Sequence, residues 1–135
     1  MRIVLLPTAL VSLLALVLYF WVAAEVSRMR GRHRVKAPAM NGPEPFERAV
    51  RVHLNTLEQL VPFLVALWIC AAFFPLPAAI IGAVWLVGRI IYALTYYADP
   101  AKRALGFTVA FIATILLMLG GFAGIIRGWL AGTSP

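Results

Sequence analysis

Cysteine occurs once in this chain, at Cys70, so no intrachain disulfide is possible. The residue lies among Trp68, Ile69 and Ala71, and a neutral thiol in apolar surroundings is a poor nucleophile. It is expected to be a small packing residue. Acidic residues are also scarce: five Asp and Glu stand against twelve Lys and Arg, a net charge of +7. No segment shows a strand signal, and no internal repeat is evident. What fills the chain instead is apolar. Of its 135 residues, 63% are hydrophobic, against about 45–50% in a soluble domain even with glycine counted. A mean hydropathy of +0.93 agrees. These values exclude an ordinary soluble protein and predict one membrane domain over residues 1–135.

A pI near 10.6 would otherwise suggest nucleic acid. The positions of the charges exclude that partner. Arg28, Arg30, Arg32, Arg34 and Lys36 crowd one segment, Arg48 and Arg51 follow, and Lys102 and Arg103 share a second short one. Basic clusters between apolar spans are what cytoplasmic loops carry. Four such spans, each near the roughly 20 residues that cross a bilayer, run from about Ile3 to Ala24, Ala49 to Phe74, Ala78 to Ala98 and Ala104 to Leu130. Lipid admits only helices or closed barrels, so the expected fold is an all-α, up-down bundle of four transmembrane helices. The segment Val26–Phe46 and the turn Asp99–Arg103 should face the cytoplasm, and uncharged Pro75-Leu76-Pro77 the outside. Both termini then lie outside, with Arg2 and Arg127 as minority charges there. "WVAAE" also reads as a signal-peptidase site after Ala24, with Arg2 as its basic flank. The apolar run before it exceeds the usual 7–15 residues, and the arginines behind it resist translocation. A retained helix is expected. The long segment holds "KAPAMNGPEPFE", where proline and glycine break helix, and helix 2 should start near Pro45. Gly120, Gly124 and Gly128, four apart, should allow close helix packing.

The stretch "ERAVRVHLNTLEQLVPFLVALW", Glu47 to Trp68, puts charge at the mouth of an apolar helix. Arg48, Arg51, Asn55 and Glu58 are spaced three, four and three apart, so they form one stripe, with Gln59 at its edge and His53 on roughly the opposite side. Such a stripe should face the bundle interior or a wet cavity. In "GRIIYALTYYADPAKR", Arg89, Tyr92 and Tyr96 share a face too, with Tyr97 about a quarter-turn away. Asp99-Pro100 reads as a helix start, which sets Arg103 in the first turn of helix 4, beside amides that favour an anion. Arginine forks a carboxylate, glutamate receives an ammonium, and asparagine matches a peptide amide. The set suits a small zwitterionic peptide. The blander reading stands beside it: Arg51 with Glu58, or Arg89 with Glu58 or Glu25, as structural ion pairs, and the tyrosines as an interfacial belt.

These two stretches resemble the MAPEG family, the membrane-associated proteins of eicosanoid and glutathione metabolism. The family core R-x-x-x-N-x-x-E, followed by an apolar run with proline, appears as Arg51, Asn55, Glu58 and Pro62. "GRIIYALTYYADPAKRALGF" is similar to the family's third helix and following turn. The resemblance covers essentially the whole chain and implies a homotrimer that binds glutathione, bent, at subunit interfaces near the cytoplasmic side. By match, Arg51, Asn55 and Glu58 would hold the glutathione backbone and termini, and Tyr92 and Tyr96 would line the pocket. Arg103 matches the arginine that stabilises the thiolate. Arg30 and Arg34 lie where the family's first loop contributes arginine, and His53 where some relatives touch glutathione. The implied activity is a glutathione transferase or peroxidase acting on a lipophilic electrophile or lipid hydroperoxide, with no metal; with no sign of an organelle context in the sequence, a bacterial inner membrane is the expected location.

The match is incomplete. Gln59 stands where some relatives have tyrosine, and Ala104 and Phe107 replace a serine and a tyrosine of the prostaglandin-isomerising branch. That disfavours an isomerase. A non-catalytic scaffold or regulatory subunit and a small transporter subunit remain as alternatives. Reporter fusions within residues 26–46 are expected to read cytoplasmic and those at either terminus external; a cytoplasmic C-terminus would overturn the four-span topology.

Overall fold

The structure, a computed structural model, describes residues 3–132. Arg2, read above as a flank charge, lies outside the described residues. A 3-10 turn, Ile3–Leu5, leads into α1, Leu6–Arg32; α2 spans Glu44–Phe73, α3 Pro75–Ala98, and a second 3-10 turn, Pro100–Arg103, precedes α4, Ala104–Gly132. Among the described residues there is no strand. Each helix is long and apolar enough to cross a bilayer. Helices α2 and α3 form a central pair; α1 packs on both, and so does α4, while α1 and α4 scarcely meet.

The helix ends differ from the sequence reading in three places. α1 continues past Ala24 to Arg32, so Arg28, Arg30 and Arg32 stand on helix. Nothing in Glu25–Arg30 breaks a helix, and Arg28 pairs with Glu25 at 2.6 Å, one turn back. At 1.5 Å per residue, its 27 residues make about 40 Å, longer than a hydrocarbon core of about 30 Å. The stop is Arg34, at φ 55°, a left-handed residue that lets Val35 N–H bond back to Arg30 C=O at 3.0 Å. Pro75-Leu76-Pro77 is no loop. It forms the first turn of α3, where proline lacks no bond a helix would have made, leaving Phe74 alone to connect α2 and α3. Asp99 caps a 3-10 turn: its Oδ1 accepts from Ala101 N–H at 3.0 Å, and Arg103 falls in that turn, just ahead of α4. Pro45 sits in the first turn of α2 as expected.

Large apolar side chains point outward along all four helices, among them Leu13, Phe20, Val61, Ile80, Leu119 and Phe122. The interior is built from smaller residues, such as Ala15, Ala66, Ala78, Ala93 and Ala113, around a few large ones. Phe63 stacks on Trp85 with ring centroids 3.8 Å apart and planes 4° from parallel. Cys70 is buried and packs as expected. Gly120 meets Cys70, and Gly124 the ring of Phe73, but Gly128 has nothing within 4 Å. The closest helix crossing is elsewhere. A methyl group built on Gly106 of α4 would lie 2.3 Å from the Tyr92 nitrogen and 2.7 Å from the Gly88 oxygen, and one on Gly88 would lie 2.9 Å from the Ala110 nitrogen. Backbone meets backbone here, as small residues allow inside a membrane bundle.

Because the obstructing atoms are main chain, Gly106→Ala must push α3 and α4 apart. It is expected to destabilise the detergent-solubilised protein by about 1–3 kcal/mol, read from its denaturation midpoint. Gly31→Ala, with no neighbour within 4 Å, should be neutral or gain up to about 1 kcal/mol from helix propensity. Equal effects at the two positions would refute the packing argument.

Candidate functional site

The site lies at the end of the bundle where α1 and α3 finish and α2 and α4 begin. There a cleft of about 560 Å³ is lined by Arg51, Leu54, Asn55 and Glu58 of α2, Tyr92 and Tyr96 of α3, and Arg103. Each helix supplies a register: Arg51, Asn55 and Glu58 recur at one-turn intervals, and so do Tyr92 and Tyr96. The Gly88–Gly106 crossing draws α4 against α3 at the level of Tyr92, three residues from Arg103. Arg103 Nη1 donates to Pro100 C=O at 3.0 Å, and its Cζ is 5.7 Å from the Tyr96 ring centre.

Arg51 and Glu58 are exposed in the single chain, and among the described residues neither makes an ion pair or side-chain hydrogen bond. A pairing of the two within one chain is therefore absent. Pro62 brings no N–H, so the main-chain oxygen of Glu58 lacks its usual helical donor four residues on. Tyr92 and Tyr96 are 3% and 8% exposed, too buried for an interfacial belt. Together the lining offers two guanidinium groups, one carboxylate, an amide and two phenols. Such a set can grip carboxylates with forked bonds, hold an ammonium group, and stabilise a developing anion beside the start of α4.

Arg89 shares the face of Tyr92 and Tyr96, as the spacing predicts, but forms neither structural ion pair considered for it. It pairs with neither Glu58 nor Glu25. Its Nη1 donates to Asn55 Oδ1 at 3.0 Å and its Nη2 to Thr56 Oγ1 at 2.7 Å, while Cζ lies 4.1 Å from the Tyr92 ring centre. It sits behind the cleft wall. Thr56 and Leu54 were missed in sequence; the hydroxyl beside Asn55 was the available signal for Thr56, and Leu54 gave none.

Five residues singled out in the sequence lie outside the cleft in this chain. Arg48 leaves the stripe to serve the end of α3: Nη1 donates to Tyr97 C=O at 3.1 Å and Ala98 C=O at 3.3 Å, and the other nitrogens reach Glu44. Arg30 Nη1 donates to Ala39 C=O at 2.9 Å and lies over the Phe46 ring, tying the irregular segment to the helices. His53 faces α1, where Nε2 is 3.3 Å from Tyr19 Oη. Arg34 ends α1 and is exposed. Gln59 does not line the cleft.

The chain belongs to the MAPEG family, whose model matches residues 8–123; it is a multi-pass integral membrane protein. An uncharacterized protein of Synechocystis sp. is 45% identical over 119 residues, 87% of each chain. The microsomal glutathione S-transferase 2 of Homo sapiens is 32% identical over 123 residues, 90% of this chain and 84% of its own. The leukotriene C4 synthase of Cavia porcellus is also 32% identical over 123 residues, 90% of this chain and 82% of its own.

Proposed function

We propose that this protein is a membrane-bound glutathione transferase that joins the glutathione sulfur to lipophilic electrophiles, with reduction of lipid hydroperoxides as a second activity. The cleft carries the reading: Arg51, Asn55, Glu58, Tyr92, Tyr96 and Arg103 converge on one space large enough for a tripeptide, and named relatives are glutathione S-transferases. In this reading Arg51 forks a glutathione carboxylate, Glu58 receives the ammonium group, Asn55 meets the peptide, and the tyrosines form the wall. Arg103 and the start of α4 stabilise the thiolate. The sulfur forms a bond to the electrophilic carbon. The electron pair of the broken bond departs with the leaving group, or stays on an opened ring oxygen that takes a proton from water.

The active form in this reading is a homotrimer. Glu58 lies nine residues, about 14 Å, along α2 from Ala49, where the apolar span begins, and with Arg51 it is exposed on the bundle surface. Charge at that depth is costly against lipid and is normally turned inward. A neighbouring copy would cover it, and Arg30 and His53 would join the cleft only from such a neighbour. The basic end faces the cytosol of a bacterial cell, so soluble glutathione and bilayer-borne electrophile meet at the helix mouth.

A free thiol titrates near about 8.5, and a hundredfold larger thiolate population takes about 2.7 kcal/mol. One guanidinium in a partly dry cleft beside a helix start is of the right order. Arg51→Ala and Glu58→Ala are each expected to weaken glutathione binding by about 1–3 kcal/mol, with Arg48→Ala, outside the cleft, binding normally. Unaltered binding by folded Arg51→Ala and Glu58→Ala would return both residues to a structural role.

Arg103→Ala should spare affinity more than rate, as expected for an interaction that matters in the reactive state. The thiolate absorbance band, present near neutral pH in wild type, should then need alkaline solution, and Arg103→Lys should recover part of it. A full thiolate band with normal turnover in Arg103→Ala would transfer the role to Tyr92 or Tyr96.

A further inference from the structure

The proposed chemistry leaves Arg89 unused, although it is the only charged residue in the buried interior of the described chain, 1% exposed. Among the described residues no carboxylate pairs with it and its Nε has no partner. Burying a guanidinium without a counter-ion is costly, so its contacts must matter. There are three, and two of them, Asn55 and Tyr92, are cleft residues. The third, Thr56, is 1% exposed and anchors the other end of the fork from behind.

The direction of the Asn55 contact follows from chemistry. An amide's oxygen and nitrogen are usually hard to tell apart, but a guanidinium has donors only. The Asn55 atom 3.0 Å from Arg89 Nη1 must therefore be the oxygen. The amide NH2 is left over, and among the described residues it has no partner. Asn55 thus presents a donor to the cleft. Lysine in place of Arg89 would keep the charge but lose the planar fork that bonds Asn55 and Thr56 from separate nitrogens while lying against the Tyr92 ring.

We infer that Arg89 is a positioning residue: bonded to Asn55 Oδ1 and Thr56 Oγ1 and packed on Tyr92, it aims the Asn55 NH2 into the cleft, so the ligand group that meets Asn55 is an acceptor, a carbonyl or carboxylate oxygen. The inference rests on the glutathione reading of the cleft.

The test is a double-mutant cycle on the full chain in detergent, with glutathione affinity from calorimetry and stability from the denaturation midpoint. Arg89→Lys should weaken affinity about tenfold with Asn55 present and less than about twofold in an Asn55→Ala background. Thr56→Val, which removes the anchor without touching the cleft, should cost about threefold, and that loss should also vanish without Asn55. This near-isosteric change decides the matter if Arg89→Lys does not fold. Asn55→Asp, which keeps an oxygen against Arg89 but has no NH2, should lose at least tenfold without a lower midpoint. Losses that add across the cycle, lower stability with unchanged affinity, or wild-type affinity in Asn55→Asp would each overturn the inference while leaving the transferase reading standing. Absence of glutathione binding by folded wild type would remove both.

Discussion

Two glycines hold the cleft in shape. Gly88 and Gly106 let the backbones of α3 and α4 touch, and no side chain fits between them. Arg103 is joined to Gly106 through less than one turn, and Tyr92 and Tyr96 lie about one and just over two turns from Gly88. Their mutual placement is therefore set by main-chain contact, the least compliant contact a helix pair can make.

Around that crossing the chain sorts polarity by depth. The interior of the far half is apolar apart from threonines such as Thr8 and Thr114, whose hydroxyls reach main-chain oxygens, Thr8 that of Pro75 at 3.5 Å and Thr114 that of Ala110 at 3.2 Å. Ionisable side chains concentrate at the other end, where water is close and each can be hydrated, paired or used. Arg89 is the exception. It places a cation deeper than its neighbours, under Asn55 and Tyr92, at a cost in desolvation that only specific contacts offset. The proposed trimer completes the same logic, because it takes the outward-facing Arg51 and Glu58 away from lipid.

Much of this was legible in the residues. The run lengths and basic clusters predicted four helices, and 3.6-residue spacing put Arg51, Asn55 and Glu58 on one stripe and Tyr92 with Tyr96 on another. Asp99-Pro100 marked a helix start. The misreadings have local causes. Hydropathy stops where charge begins, but helix does not, so the apolar run ends near Ala24 while α1 continues to Arg32. Hydropathy sets the third span at Ala78, but Pro75 and Pro77 already open the helix. The four-residue glycine spacing predicts close packing at Gly128, which meets nothing within 4 Å, and gives no sign of the contact at Gly106.

The sequence by itself determined the elements, their amphipathic stripes and the chemical types available, because these depend on composition and on a period within one helix. Which stripes face one another depends on the rotation and translation of one helix against another. Those are settled by contacts between residues far apart in the chain, which no single-helix period encodes. Only the tertiary structure could therefore bring Arg103 to Tyr96, turn Arg48 to the end of α3 and His53 towards Tyr19, and set Arg89 against Asn55 in place of a carboxylate.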